Sequence, residues 1–517
     1  MIPHHQFGKA VHLMSQSQKM TVAKDTMIYM FAKAIEGVLG IVTLAVYTRL
    51  LTDAQFGRYD IINKAVIIIG PLCMLWLQQA AGRYVNTYEA EGKQKTFYST
   101  VAVSWLFVNA VLLIIGASAI GLLTGVFGRS GAAADFLARF EPRWLWLALF
   151  CVIWYNGGQV VLTMAGARRR ILLNMSLPLI TAALKLLIPL ALVLRFDAAV
   201  EWILLANLVC DMLIAIIGSI RLRIWQHVSL PAFSKETLLL FLAFGLPLIG
   251  NFATTTALNY ADRFLIVAYL GENANGIYAA NHAIAAAAVT MLTIAVARGS
   301  YPNIMKAWGA GDKPLAVELV SQSVRLFMLL VLPAVVGLAV LSPRVAALVF
   351  SDSSSYSNGF AVMIWAGFGL LFLGLTEYSN KYWELSANTK IIFRNSAVSS
   401  VVNILLNIIL LPRYGYTAAA FSSFVGFFIY FLLSKIESRR YMKWTLPRKS
   451  YVWLIAAAAV MGAAVWGLSL ALPQSHTSLV PLVIAGVAVY FIVLIVSGEI
   501  TPEMQYIRSK LFKGRKG

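Results

Sequence analysis

Apolar residues run along this chain in long stretches separated by short polar segments. An α-helix rises about 1.5 Å per residue, so about 20 mostly apolar residues cross the hydrocarbon of a bilayer. Roughly 14 stretches meet that length. The first is centred near Gly37, the sixth near Leu208, the seventh near Gly250 and the twelfth near Phe427. The last two centre near Met461 and Val489. The pattern predicts an all-α, polytopic membrane protein with about 14 transmembrane helices. Two basic linkers, Arg221 to Glu236 and Lys435 to Lys449, punctuate it. The expected organisation is an N-terminal tail (1–25), a six-helix lobe (26–220), a linker (221–236), a second six-helix lobe (237–440), helices 13 and 14 (441–498) and a basic tail (499–517).

Composition agrees. The chain of 517 residues is 60% hydrophobic and 12% charged, where soluble proteins are about 45–50% apolar and about 25% charged. Disorder, a collagen-like fibre and a disulfide-rich scaffold are excluded. A net charge of +20 in a soluble protein would point to nucleic acid. Here the charge follows the loops. Alternate connections, starting from the N-terminal tail, hold 29 of the 42 Lys and Arg, against 9 in the intervening ones and 4 within helices. Basic residues accumulate on the cytoplasmic side, so both termini are expected there, with no nucleic-acid partner. Residues 1–25 are too polar for a cleavable signal peptide, and the first apolar stretch is expected to stay as an anchor. The longest outside loop, about Phe127 to Pro142, is too short for a catalytic domain. Cys73, Cys151 and Cys210 lie in apolar runs without a metal-ligand spacing.

The two halves share a motif. Arg49-Leu50-Leu51 and Gly57-Arg58-Tyr59 are matched by Arg263-Phe264-Leu265 and Gly276-Ile277-Tyr278, at offsets of 214 and 219 residues. An even number of helices per half gives both copies one orientation. That is the parallel-repeat plan of rocking transporters, with the binding site between the lobes.

The segment Arg49-Leu50-Leu51-Thr52-Asp53-Ala54-Gln55-Phe56-Gly57-Arg58-Tyr59 resembles a signature of bacterial polysaccharide and O-antigen flippases. Phe244-Gly245-Leu246-Pro247-Leu248-Ile249, Asn259-Tyr260-Ala261-Asp262-Arg263-Phe264 and Gly276-Ile277-Tyr278 resemble the second-half signature of the same family. These are the lipid-linked oligosaccharide translocases of the multidrug/oligosaccharidyl-lipid/polysaccharide exporter superfamily. The resemblance implies two six-helix lobes around a central cavity, with two further helices. It also implies transfer of an undecaprenyl-diphosphate-linked sugar unit from the cytoplasmic to the periplasmic leaflet of the inner membrane. Glycosyltransferases and a polysaccharide polymerase are implied as partners. The motifs also have a structural reading: Gly57 and Gly276 as tight turns, Tyr59 and Tyr278 in the interface belt, Arg49 and Arg263 as headgroup anchors.

An ionisable side chain at a helix centre costs about 2.5–3.5 kcal/mol on insertion scales, so it faces a partner or a wet cavity. Lys33 and Glu36 stand at i, i+3, and Asp60 and Lys64 at i, i+4, each pair on one helical face. Lys185 and Asp211 lie mid-helix as either an inter-helix pair or cavity groups. Glu377, Lys381 and Glu384 are expected at a solvated helix end. Arg298 and Arg325 could snorkel, Arg298 being the better cavity candidate because its helix is rich in Ala. A diphosphate needs cations, Lys as a point charge and Arg as a bidentate fork. Lys33, Lys64, Arg298 and Arg263 are therefore the candidate substrate-binding residues. Glu36, Asp60 and Asp211 are the candidates for coupling to a proton or sodium. Pro178, Pro189, Pro247 and Pro333 mark helices that could bend. No catalytic, metal or cofactor site is expected, and no GxxxxGK[ST] or HExxH motif occurs. The competing readings are a cation-coupled drug or metabolite antiporter of the same superfamily, a membrane glycan polymerase or ligase, and a flippase for the peptidoglycan lipid precursor.

Overall fold

The computed structural model describes residues 35–125, 140–193, 195–196, 200–350, 355–386, 388–445, 447–473 and 478–500. All regular structure there is helical. In chain order the long helices are α1 (35–50), α2 (Asp53–Ala90), α3 (Gln94–Gly125), α4 (Pro142–Ala167), α5 (Ile171–Val193), α6 (Val200–Arg221) and α7 (Lys235–Leu270). Then come α8 (Glu272–Gly309), α9 (Lys313–Phe350), α10 (Phe360–Ser379), α11 (Thr389–Tyr414), α12 (Tyr416–Ser438), α13 (Arg448–Ala471) and α14 (Leu479–Val496). Among the described residues 13 helices are long and apolar enough to cross a membrane, and α1 adds a shorter described segment. The expected all-α polytopic fold is the one observed. Without water in the hydrocarbon, each segment satisfies its backbone internally.

Arg298 lies within α8, which runs on to Gly309, and Arg325 within α9, which begins at Lys313. Local chemistry sets the starts. Thr52 and Gln55 form a capping box at α2: Thr52 Oγ1 accepts from the Gln55 amide at 3.3 Å, and Gln55 Oε1 from the Thr52 amide at 3.0 Å. Asp53 adds a carboxylate in the first turn, where the helix dipole favours it. Ser234 caps α7 through the Thr237 amide at 3.2 Å. Gly271 ends α7 with a φ of 86°, a left-handed angle that glycine tolerates.

One compact unit comprises described residues up to Ala280 together with Ser396–Ala419. Its core joins α2, α3, α4 and α7 through Leu77, Ala81, Phe97, Met164 and Phe241. The Gly57 and Gly276 motifs are helix crossings here rather than the tight turns expected. A Cβ built on Gly57 would lie 2.0 Å from the Glu272 carbonyl oxygen and 2.9 Å from the Gly276 nitrogen. A Cβ on Gly276 would lie 2.0 Å from the Asp53 carbonyl oxygen. The first turns of α2 and α8 therefore touch backbone to backbone, each through its own glycine. Gly245 plays a similar part where α7 meets α2 at the backbone of Trp76. Outward faces are apolar: Phe107 on α3 is 69% exposed, as lipid contact requires.

The other unit contains described residues of Asn281–Asn395 and Ala420–Gly517. Here α13 and α14 pack as a hairpin on α9, with Gly462 against Val336 and Gly486 against Val465. Tyr490 donates to the Leu329 carbonyl at 3.1 Å. Arginines of α9 pin both ends. Arg325 meets the Glu499 carboxylate at 2.8 Å and its backbone carbonyl at 2.5 Å, rather than snorkelling to headgroups. Arg344 donates to the carbonyls of Ser469, Leu472 and Pro473 and to Ser478 Oγ. It thus satisfies carbonyls left open at the end of α13.

Gly57→Ala and Gly276→Ala are each expected to lower stability by about 1–3 kcal/mol, as overpacking does. Together they should cost less than the sum, since one shift of the crossing relieves both. Gly467→Ala, whose Cβ meets no described atom within 4 Å, should leave the melting temperature in detergent unchanged. For Arg344→Ala, faster hydrogen exchange is expected across 468–473, with exchange in α2 unaltered.

Candidate functional site

Charged residues of α2 and α7 converge in the first unit. Asp60 and Lys64 are one turn apart on α2, and Lys64 Nζ lies 3.4 Å from Asp60 Oδ1. The other Asp60 oxygen lies 3.3 Å from Arg263 Nε of α7. Asp60 thus joins two cations from two helices. Arg263 is 3% exposed, so the expected headgroup anchor is a buried ion-pair member instead. Tyr278 is likewise buried rather than in the interface belt, and its hydroxyl donates to the Asp262 carboxylate. The Tyr260 ring lies 5.5 Å from Lys64 Nζ and 5.7 Å from the Arg263 guanidinium. Tyr278 faces that guanidinium at 5.5 Å. Aromatic faces attract cations over such distances. Asn275, at the start of α8, donates to the Gly57 carbonyl at 3.0 Å and reaches Asp60 Oδ2 at 3.5 Å. The glycine crossing therefore sets the position of the charges. Lys64 and Arg263 are balanced by Asp60 and Asp262, so the cluster carries no formal net charge.

A second pair lies in the same unit. Lys185 of α5 meets Asp211 of α6 at 3.3 Å, an inter-helix pair. Tyr47 donates to the Lys185 carbonyl, and its ring stands edge-on to Tyr59 at 5.7 Å. Asn207 reaches the Tyr59 hydroxyl at 3.5 Å. Through Tyr59, the neighbour of Asp60, packing is continuous from one pair to the other.

Comparison with known proteins gives this arrangement a context. A family model described as polysaccharide biosynthesis protein matches residues 22–308, and one described as lipid II flippase MurJ matches residues 179–485. Each spans more than half of the chain. The chain belongs to the polysaccharide biosynthesis/MurJ family of flippases. These are transporter families rather than enzymes. A curated relative, the probable low-salt glycan biosynthesis flippase Agl15 of Haloferax volcanii, is 25% identical over 187 residues. That match spans 35% of this chain and 38% of the relative's length. An inward closed structure of the lipid II flippase MurJ superposes with a TM-score of 0.73 at 16% identity, covering 92% of this chain and all of that one. An inward-facing multidrug resistance MATE transporter of the MOP superfamily gives 0.64 at 14% identity, covering 78% and 94%. Both likenesses establish the fold.

Within this flippase-family chain the structure brings together Asp60, Lys64 and Arg263. It sets Asp211 against Lys185. Glu36 is half-buried on α1. Lys33 and the C-terminal basic run lie outside the described residues, and of Arg298 only the backbone, within α8, is described. Sequence reasoning passed over Tyr260, Asp262 and Asn275, although two of them flank Arg263 in the motif itself. It also misjudged Lys381, expected at a solvated helix end. Lys381 is 3% exposed and bridges Glu377 at 2.6 Å and Glu384 at 2.8 Å, with Nζ 5.0 Å from the Tyr301 ring. Glu377 lines a cavity of about 390 Å³ with Thr293 and Ala297.

Removing one partner of a buried ion pair costs about 3–5 kcal/mol, because the other charge is left uncompensated. Asp60→Asn should therefore lower the thermal midpoint of the purified protein sharply. Adding Arg263→Gln should recover part of the loss. A single variant as stable as the wild type would show that Asp60 does not compensate the two cations.

Proposed function

We propose that the chain turns an undecaprenyl-diphosphate-linked oligosaccharide repeat unit across the bacterial inner membrane, from the cytoplasmic to the outer leaflet, for polysaccharide export. The observation that carries the reading is the buried Asp60–Lys64–Arg263 cluster, in a chain whose family consists of flippases. Lys64 is eleven residues into α2, about 16 Å along the helix, well inside hydrocarbon depth. Cations at that depth are costly and point to a substrate path.

The chemistry follows from who can share Asp60. A diphosphate offers more acceptor oxygens than one carboxylate and competes for Lys64 and Arg263 together. Asp60, released from both, is then a buried carboxylate without a countercharge and takes up a proton or a sodium ion. When the cargo leaves, Asp60 gives up that ion and reclaims the two cations. Lys33 and Arg298 are the further cations proposed to attract the diphosphate. Glu36 and Asp211 act as further exchange acids, Asp211 through Lys185. Alternating access comes from rocking of two six-helix lobes (26–220 and 237–440) around a central cavity. Helices containing Pro178, Pro189, Pro247 and Pro333 bend where a backbone donor is missing. The 29-to-9 distribution of Lys and Arg supports both termini in the cytoplasm. Glycosyltransferases that build the unit and a polymerase that consumes it are the partners.

In a deletion strain, whole lipid-linked repeat units should accumulate on the cytoplasmic leaflet, and the intact gene should clear them. Complementation by Lys33→Ala or Lys64→Ala should lower export on the order of tenfold or more, the scale of one lost charge-assisted contact. Arg263 still pairs with Asp60 in Lys64→Ala, so that variant keeps its fold. Wild-type export by both variants would overturn the attraction mechanism. Complete but unpolymerised units on the outer face of the deletion strain would indicate a polymerase instead. No glycan defect would favour the drug antiporter.

A further inference from the structure

Three consecutive arginines join α4 to α5, and the chain uses them differently. Arg168 turns inward. It forms an ion pair with Glu89, donates to the Leu222 carbonyl at 3.1 Å, and lies 5.8 Å from the Tyr98 ring. Arg169 then adopts a left-handed backbone, with a φ of 53°, which is uncommon outside glycine. Arg169 and Arg170 instead line an open groove of about 800 Å³ with Arg221, the last residue of α6. All three arginines are exposed, and among the described residues none of their side chains is paired with a carboxylate. No acidic residue lines the groove.

Its wall is hydrocarbon. Leu172 and Ile180 of α5 and Ile217 of α6 are 78%, 54% and 37% exposed. Leu172 to Ile180 extends about 12 Å along the helix axis, the reach of half an acyl chain. Trp225, in the short turn after Arg221, is also exposed, and amphipathic rings of this kind settle at a membrane interface.

We infer that this groove is a binding site for an anionic glycerophospholipid of the surrounding leaflet. The phosphate sits among Arg169, Arg170 and Arg221, and one acyl chain lies along Leu172, Ile180 and Ile217. Guanidinium groups match phosphate geometry bidentately. A zwitterionic headgroup would bring its own ammonium into a ring of three cations with no carboxylate to receive it, so the charge pattern selects an acidic lipid. The site lies outside the Asp60 cluster and requires only that the chain span a membrane, so its failure would leave the flippase reading intact.

Native mass spectrometry of the full-length protein in detergent, titrated with phosphatidylglycerol or phosphatidylcholine, tests the site. One phosphatidylglycerol should be retained preferentially. Arg169→Gln/Arg170→Gln/Arg221→Gln should weaken retention on the order of tenfold or more, given the usual contribution of each basic residue at a membrane surface. Lys443→Gln/Lys449→Gln, an exposed basic pair outside the groove, should leave retention unchanged. Arg221→Gln alone, expected to lower it about fivefold, decides the matter should the triple variant fail to fold. Equal retention of phosphatidylcholine, equal loss from the Lys443/Lys449 variant, or undiminished binding by the arginine variants would each overturn the proposal. So would displacement by an equal concentration of inorganic phosphate, which would mark a free-phosphate site.

Discussion

Hydrocarbon offers no water to a charge, and most of the specific contacts in this chain answer that one constraint. Lys64, Arg263, Lys185 and Lys381 all belong to long spans, and each meets a carboxylate. The partners come from one turn along the same helix or from a facing helix. Pairs between helices fix which faces meet, because a register shift of one residue would rotate the partner away by about 100°. Apolar packing alone cannot supply that specificity in a bilayer, since lipid tails are as oily as leucine. Small residues and buried polar contacts take over, as at Gly57, Gly276 and Asn275.

The two copies of the repeated motif illustrate the coupling between these devices. Each copy places a glycine one turn inside a helix, and the two glycines lie at the same crossing. Such close approach is available only without a Cβ. It brings the Asn275 amide to the Gly57 carbonyl and within reach of Asp60. The Thr52–Gln55 capping box fixes where α2 begins, and hence the phase at which Asp60 and Lys64 emerge from it. A motif that reads as a loop signature is thus a device for holding two helix starts together beside a buried charge.

The spans were legible because their signal is long and redundant: twenty apolar residues cannot be mistaken for a loop. The i, i+4 pair Asp60/Lys64 was legible for a related reason, since helical geometry fixes it without tertiary knowledge. Arg263 was legible as important but not in its role. Near a helix end, an arginine that snorkels and one that is buried have the same sequence signature, and only the arrival of Asp60 from α2 separates them. Lys381 misled for the opposite reason. Three charges within eight residues suggest solvent, yet two carboxylates can sheath one lysine and let it be buried. Gly57 and Gly276 were read as turns because a glycine's need for space, unlike its need for a positive φ, is invisible without the neighbouring helix.

A neutral cluster is the better starting point for the proposed transport than a bare positive one. Uncompensated Lys64 and Arg263 would hold a diphosphate strongly and would cost much when empty. With Asp60 and Asp262 beside them, the two cations are compensated when the site is empty, so binding exchanges one anion for another instead of neutralising an exposed charge. The free energy of exchange is then small in either direction, as a carrier that must both capture and release its cargo requires. The displaced carboxylate cannot stay charged and alone in a low dielectric. On this reading it draws in a proton or cation, so coupling to an ion follows from Asp60 giving up the two cations that hold the headgroup.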